Sequence, residues 1–250
     1  MLNLLFNFDK LIENLRDKLV EDVDVLLDMK SGIVSYVNPF SYLKLRNRID
    51  LKDFDLITSD GIVLKKLSSI FLNKSIQRLS PDFSSYFKPL FKQLSISKSE
   101  VYFIGTKPEF IEKSIQNIQV KYPDLNIIGS RDGYFKDDEE LMLHIKEMVK
   151  LNPEVIIVGM GSPLQENYLI NLKRSGWGGR GFSCGGFLHQ SFQNTDYYPN
   201  WVNKLNVRWL YRIYNEPKLI KRYTIDYSWF LVVFMYDWMK YTISQNNRLG

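Results

Sequence analysis

At 250 residues, 45% hydrophobic and 24% charged, the chain can bury one full core together with an appendage, which excludes a disordered chain. A single cysteine, Cys184, excludes an internal disulfide and a cysteine-built zinc site and points to a reducing compartment such as the cytosol. The net charge of +5 sits wholly after residue 203, where eight basic residues stand against three acidic ones, so no nucleic-acid-binding face is expected and a basic segment laid on phosphates is favoured.

The N-terminal "MLNLLFNFDKLIENLRDKL" reads as an amphipathic helix and lacks the basic head and cleavage site of a secretory signal. Asp22-Val23-Asp24 and Asp53-Phe54-Asp55 have the acid-x-acid spacing that chelates a metal beside a sugar nucleotide. The first lies in a helical region and the second precedes its strand, so both read as solvated acids. Short apolar runs then alternate with helical-period segments: "GIVSYV" (32–37), "FDLIT" (54–58), "VYFIG" (101–105), "LNIIG" (125–129), "EVIIVG" (154–159) and "GRGFSCG" (179–185). Such βαβ alternation predicts a Rossmann-like α/β fold, a parallel sheet covered by helices on both faces, with ligands at the carboxyl ends of the strands. Polar residues just past those ends are the site candidates: Asn38, Asp60, Thr106 and Asp132.

Asp60, beside Gly61, reads either as a helix N-cap or as a carboxylate that takes a proton from an attacking hydroxyl. "DGYF" (132–135), with Tyr134, reads either as a turn or as a cleft wall, and His144 is expected exposed in the middle of a charged helix. In "VIIVGMGSPLQENYL" (155–169) a strand gives way at Gly159 and Gly161 to a helix opening near Pro163 with Gln165 and Glu166 in its first turns. Bare glycines and a helix N-terminus suit a phosphate, although the same pattern also serves tight strand-to-helix packing. A third glycine and a following acid are missing, which disfavours NAD. His189 and Cys184 lack a third partner and make a poor triad. After Pro199 the chain is aromatic, basic and without strand alternation, so residues 1–200 are expected to form the catalytic body and 201–250 an all-helical appendage. Its most apolar run, "WFLVVFMY" (229–236), is far short of the ~20 residues a membrane-spanning helix needs, leaving a packed helix or an interfacial one.

In order along the chain, "NPFSYLKL", "SDGIVL", "QRLSPDF", "VYFIGTKPEF", "YPDLNIIGSRDGYF", "NPEVIIVGMGSPLQE", "GGF", "YPNW" and "RWLYRIYNEPKLIKRY" together resemble the WecG/TagA/CpsF glycosyltransferase family over roughly residues 31 to 223. The resemblance implies an inverting, metal-independent transfer of an N-acetylmannosamine-type sugar from UDP to an undecaprenyl-diphosphate-linked acceptor at the cytoplasmic membrane face, with no cofactor. Asp60 then matches the general base and Asn38 the asparagine after the first strand. Arg78 matches the arginine before the next helix, and Gly159, Gly161, Pro163, Gln165 and Glu166 the glycine–proline–glutamine–glutamate signature. Arg212 and Arg222 match arginines that close over the diphosphate. The partners implied are a UDP-sugar donor, a polyprenyl-diphosphate acceptor and an anionic membrane surface, with a homo-oligomer left open and no nucleic acid. The sequence departs at Tyr36, where threonine is usual, and at His189, where aspartate is usual. It also departs at Tyr197-Tyr198, where Arg-Ala is usual, and at Arg208, where glutamate is usual. An enzyme of another nucleotide and a non-catalytic membrane module are the competing classes.

Overall fold

The computed structural model describes residues 8–46, 51–193, 199, 201–202, 205 and 207–249, so Tyr197 and Tyr198 lie outside the described residues. Six apolar runs form strands β1 (Gly32–Val37), β2 (Leu56–Ser59), β3 (Val101–Gly105), β4 (Ile127–Arg131), β5 (Val155–Gly159) and β6 (Arg180–Ser183). They make one sheet in the order β2-β1-β6-β5-β3-β4, each adjacent pair parallel. Parallel pairing demands long crossovers, and helices supply them: α3 (Pro39–Leu45), α4 (Ile62–Phe71), α5 (Phe87–Ser97), α6 (Pro108–Lys121), α7 (Asp138–Leu151) and α8 (Leu164–Arg174). Helices α1 (Phe8–Lys18) and α2 (Val23–Asp28) precede the sheet and α9 (Phe187–Gln193) follows it.

The two-residue period of the strands divides the core. Ile156 and Val158 share one cluster with side chains of α1, α3, α7 and α8, while Val155 and Ile157 share the other with α2, α5, α6 and α9. The helix that leaves β3 therefore lies on the opposite face from the helix that leaves β5. Between these neighbouring strands opens the crevice where doubly wound sheets take their ligands.

The C-terminal extension is helical, as expected: α10 (Arg208–Asn215), a π-helical turn (Arg222–Asp226) and α11 (Tyr227–Leu249). Its apolar run packs on the body along one face and leaves the other exposed. Phe230, Val233, Phe234 and Tyr241 are buried in the cluster that holds α1 and α3, while Trp229, Val232, Tyr236, Met239 and Ile243 stay exposed. Asp237 is fully buried and takes a bidentate ion pair from Arg46, 2.6 Å on each oxygen, plus the Tyr42 hydroxyl at 2.8 Å. No helix among the described residues is long and apolar enough to cross a membrane.

Three sequence expectations need correction. β2 and β4 each begin two residues later than expected, because Phe54 and Leu125 are buried as plugs of the preceding loops and not as strand residues. His144 is not exposed: it is 3% accessible, packed against Tyr102, Phe135 and Tyr168, with Nδ1 3.1 Å from the Tyr168 hydroxyl. Burial, reinforced by Arg131, pulls its pKa down to about 4. The acid-x-acid pairs have structural partners rather than solvent alone. Asp22 caps α2 and accepts from Gln77, Asp53 pairs with Arg174, and Asp55 pairs with Lys173 while accepting from the Ile33 amide.

Candidate active site

The carboxyl ends of the strands open into a cavity of about 1250 Å³. Its floor follows strand order: Asp60 and Gly61 after β2, Tyr36 and Asn38 at β1, Gly185 after β6, Gly159 and Gly161 at β5, Thr106 after β3, and Tyr134 after β4. At ~4.8 Å per strand, the β2 end and the β3–β5 crevice are roughly 15–19 Å apart. Arg78 lines the cavity from the loop ahead of α5, and Trp209, Arg212, Arg222, Tyr223 and Tyr227 line it from the C-terminal extension.

Asp60 is held by two donors. Asn38 Nδ2 reaches Oδ2 at 3.0 Å and Ser80 Oγ reaches Oδ1 at 2.7 Å, while its own amide donates to Val37 O at 2.9 Å. The Asn38 amide cannot turn around, because its Oδ1 already accepts from the Phe40 and Ser41 amides as the N-cap of α3. The helix cap thereby aims an N–H at the carboxylate. Asp60 is not itself a cap: Gly61 fills that position on α4, at φ +100 and with no side-chain hydrogen bond. With the cap position taken by Gly61, Asp60 is a fixed carboxylate facing a cavity, geometry suited to accepting a proton.

Cations face it. Arg222 lies 4.1 Å over the Phe40 ring, and Lys44 lies 4.6 Å from the same ring. Arg212 is 3.8 Å from Glu216 on its own helix. Arg208 pairs with Asp82 at 3.2 Å and is 9% exposed, so the residue that departs from the family pattern fastens α10 to the body. Arg78 has no ion pair among the described residues.

Gln165 and Glu166 take a different place from the one expected. Both are fully buried behind the cavity wall and line none of it. Gln165 Oε1 accepts from the Gly185 amide at 3.0 Å, and its Nε2 donates to Glu166 Oε1 at 2.8 Å. Glu166 Oε1 also accepts from Ser35 at 3.0 Å and Ser162 at 3.1 Å, which ties β1 to the turns after β5 and β6. Burial raises the Glu166 carboxyl above the usual range, only partly offset by these donors. The two residues position the wall. Gly159 serves packing, since a Cβ there would sit 2.9 Å from Cys184 Sγ, whereas Gly161 serves the turn with φ +76 and open space around it. Burial also raises the Cys184 thiol, and His189, on the cavity rim, has Nδ1 3.5 Å from Thr106 Oγ1 and its ring against Phe110. The two do not form a nucleophilic pair.

Sequence reasoning missed Ser80, Ser35, Ser183 and Lys107. The two buried strand serines were legible as polar breaks in otherwise apolar strands; Ser80 carried no signal beyond its place in "LSPDF". Among the described residues, no three His, Cys, Asp or Glu side chains stand together as a metal-binding group.

A parallel α/β sheet with a clamped carboxylate and several arginines around one large cleft is an arrangement suited to group transfer from an anionic substrate. The Glycosyl transferase WecG/TagA/CpsF family model matches residues 5–244, and the chain belongs to that family. It is 34% identical over 239 residues, 95% of this chain and all of the relative, to the UDP-Gal:alpha-D-GlcNAc-diphosphoundecaprenol beta-1,4-galactosyltransferase of Shigella boydii. Over 201 residues, 78% of this chain and 77% of the relative, it is 29% identical to the N-acetylglucosaminyldiphosphoundecaprenol N-acetyl-beta-D-mannosaminyltransferase of Bacillus subtilis (strain 168). It is accordingly a glycosyltransferase at the level of the family.

Proposed function

We propose that the protein is an inverting, metal-independent glycosyltransferase that moves a hexose from a UDP-sugar to an N-acetylglucosaminyl-diphosphoundecaprenol acceptor in cell-surface polymer synthesis. The acceptor is the element common to both relatives' names, which differ in the sugar transferred. The observation that carries the reading is Asp60, clamped by Asn38 and Ser80 on a cavity floor that arginines face.

In the proposed step the acceptor hydroxyl gives its proton to Asp60 while its oxygen attacks the anomeric carbon. The bond from that carbon to the β-phosphate oxygen breaks, and the electron pair leaves with UDP. A positioned base supplies ~10²–10⁴ in rate, roughly 3–5 kcal/mol, so leaving-group stabilisation carries much of the rest. We assign that to Arg212 and Arg222, with Arg78, through charge-assisted bonds to the diphosphate, aided by the N-terminus of α8. The nucleoside then lies over the β3–β5 crevice, beside Tyr134, Lys107 and His189.

We divide the labour between a body of residues 1–200, which binds the donor, and the extension 201–250, which supplies arginines and a membrane-facing surface. Supporting this, Trp209, Leu210, Ile225, Trp229, Val232, Tyr236, Met239 and Ile243 are exposed, with Lys221 and Lys240 among them. Docking on the anionic cytoplasmic face would bring the lipid-linked acceptor to the cavity.

Asp60→Asn keeps the size of the side chain and removes the base. It should fold normally and retain the UDP-induced thermal shift, yet lose at least ~10² in turnover. Normal turnover would remove Asp60 from the base role. A thermal shift with NAD or ADP but none with UDP would overturn the whole reading.

A further inference from the structure

Between the catalytic carboxylate and the nucleotide crevice lies a stretch of floor that the proposed mechanism leaves unused. Lying between β2 and β5, it consists of the ends of β1 and β6 and carries Tyr36 and Gly185. Whatever lies over it is joined to the nucleotide on one side and meets the base on the other. In a UDP-sugar only the transferred sugar satisfies both conditions, so this inference rests on the function proposed above.

Tyr36 covers that floor. Its hydroxyl reaches across to the next strand end, so close that a Cβ on Gly185 would sit 2.3 Å from the oxygen. The direction of its hydrogen follows from the groups behind it. Gln165 Oε1 is committed to the Gly185 amide, a group that can only donate, so the Gln165 NH₂ faces Glu166 and the Tyr36 oxygen. The phenol oxygen therefore has an amide donor, and no acceptor, behind it. Among the described residues no protein group accepts its proton, and the ring lines the cavity. Burial, with Glu166 and Asp60 adding to it, pushes the phenol well above its ordinary pKa, so the proton stays on and remains available to donate.

We propose that Tyr36 selects the donor: its hydroxyl donates a hydrogen bond to the transferred sugar, and its ring fills the floor space that a 2-acetamido substituent would need, restricting the donor to UDP-hexoses with a free 2-hydroxyl. A donor aimed at one sugar hydroxyl discriminates strongly, because a sugar that cannot pair leaves that buried polar group unsatisfied. The buried Gln165–Glu166 pair gains a purpose from this, since it orients the side chain that touches the sugar.

The test is made on the full-length protein with UDP, UDP-galactose, UDP-glucose, UDP-N-acetylglucosamine and UDP-N-acetylgalactosamine, measuring both binding and transfer to a short-chain N-acetylglucosaminyl-diphospholipid. Tyr36→Phe keeps the ring and removes only the hydroxyl. It should bind UDP as the parent does and lose at least ~10-fold in kcat/KM for the preferred UDP-hexose. Tyr36→Thr opens the floor and should raise the kcat/KM ratio of UDP-N-acetylhexosamine to UDP-hexose by ~10-fold or more. Should the threonine variant fold poorly, the phenylalanine variant and the parent's own preference decide. Parent protein that binds UDP yet prefers a UDP-N-acetylhexosamine, or a Phe variant with undiminished hexose transfer, would overturn the assignment of Tyr36 alone. Parent protein that binds no UDP would overturn the functional reading beneath it.

Discussion

Asn38 joins local structure to chemistry. One face of its amide ends a helix and the other fixes a carboxylate on the neighbouring strand, so a residue chosen by backbone geometry also sets side-chain geometry in the cavity. This gives a separable prediction. Asn38→Asp keeps a good cap, so any stability it loses should come from the crowded carboxylates and grow as pH rises, whereas Asn38→Ala should cost ~0.5–2 kcal/mol at every pH through the lost cap. The aspartate places a second carboxylate where a donor stood, 3.0 Å from Asp60 in the parent. Two charges that close disfavour the doubly ionised state, so turnover at neutral pH should fall at least ~10-fold and the acid limb of the pH–rate profile should move to higher pH. An unchanged profile in Asn38→Asp would mean that the amide is only a cap. At this scale the sequence was partly legible. The strand-end positions of Asn38 and Asp60 followed from apolar periodicity, but a hydrogen bond between two strand ends 22 residues apart did not. Gln165 and Glu166 were noticed as polar residues after a glycine turn and read as ligand-facing. That error arose because a polar residue in a first helical turn can point at a ligand or back into the scaffold, and only the partners, here Ser35 and Gly185, tell which. His144 was misread for a different reason: its neighbours in sequence are charged, but its neighbours on the helix face are Leu141, Ile145 and Met148.

Among the elements, α11 shows why a run apolar on all sides resists assignment from sequence. Half of it is a core helix and half an exposed face, and nothing in "WFLVVFMY" distinguishes the two. The distinguishing residue lies just beyond, at Asp237, which flanks the run and is completely buried against Arg46 and Tyr42 of the α3 region. That ion pair and the Trp238 Nε1 to Phe71 O bond, 3.1 Å, fix the rotation of α11 on the body and hence which face is presented outward. A buried pair of this kind contributes more to specificity than to net stability, but removing one member leaves the other charge stranded. Arg46→Ala should therefore cost about 3–5 kcal/mol in urea unfolding, far more than an ordinary surface substitution. A loss under about 1 kcal/mol would show that Asp237 is neutralised or hydrated in some other way. The strands were the most legible elements, since short, largely apolar runs separated by helical periods admit little else. Their boundaries slipped where apolar loop plugs, Phe54 and Leu125, looked like strand residues.

Across the whole molecule, the excess charge, most of the exposed aromatics and three of the arginines that line the cavity belong to the last fifty residues, and this makes recruitment and chemistry hard to separate by truncation. Deleting residues 224–250 would strip Phe230, Val233 and Phe234 from the main core and uncover α1 and α3, so lost vesicle binding in such a protein would report misfolding as readily as membrane contact. Point changes on the outer face avoid that confusion. Lys221 and Lys240 are exposed, so their reversal to glutamate touches no core. Each basic residue near an anionic surface is worth about 1 kcal/mol, and reversing both should weaken binding to phosphatidylserine vesicles at least ~10-fold at low salt, with the difference shrinking as ionic strength rises. Turnover on a short-chain soluble acceptor should be nearly untouched. Arg222→Ala should give the reverse pattern, vesicle binding intact and soluble turnover lowered ~10²-fold or more, because it removes a cation that lies over Phe40 beside the reacting groups. Should the double reversal leave vesicle binding unchanged at every salt concentration, the exposed aromatic face of α11 must meet something other than an anionic bilayer. Should Arg222→Ala leave soluble turnover intact, the departing diphosphate must be held by Arg78, Arg212 and the backbone of the turn around Gly161.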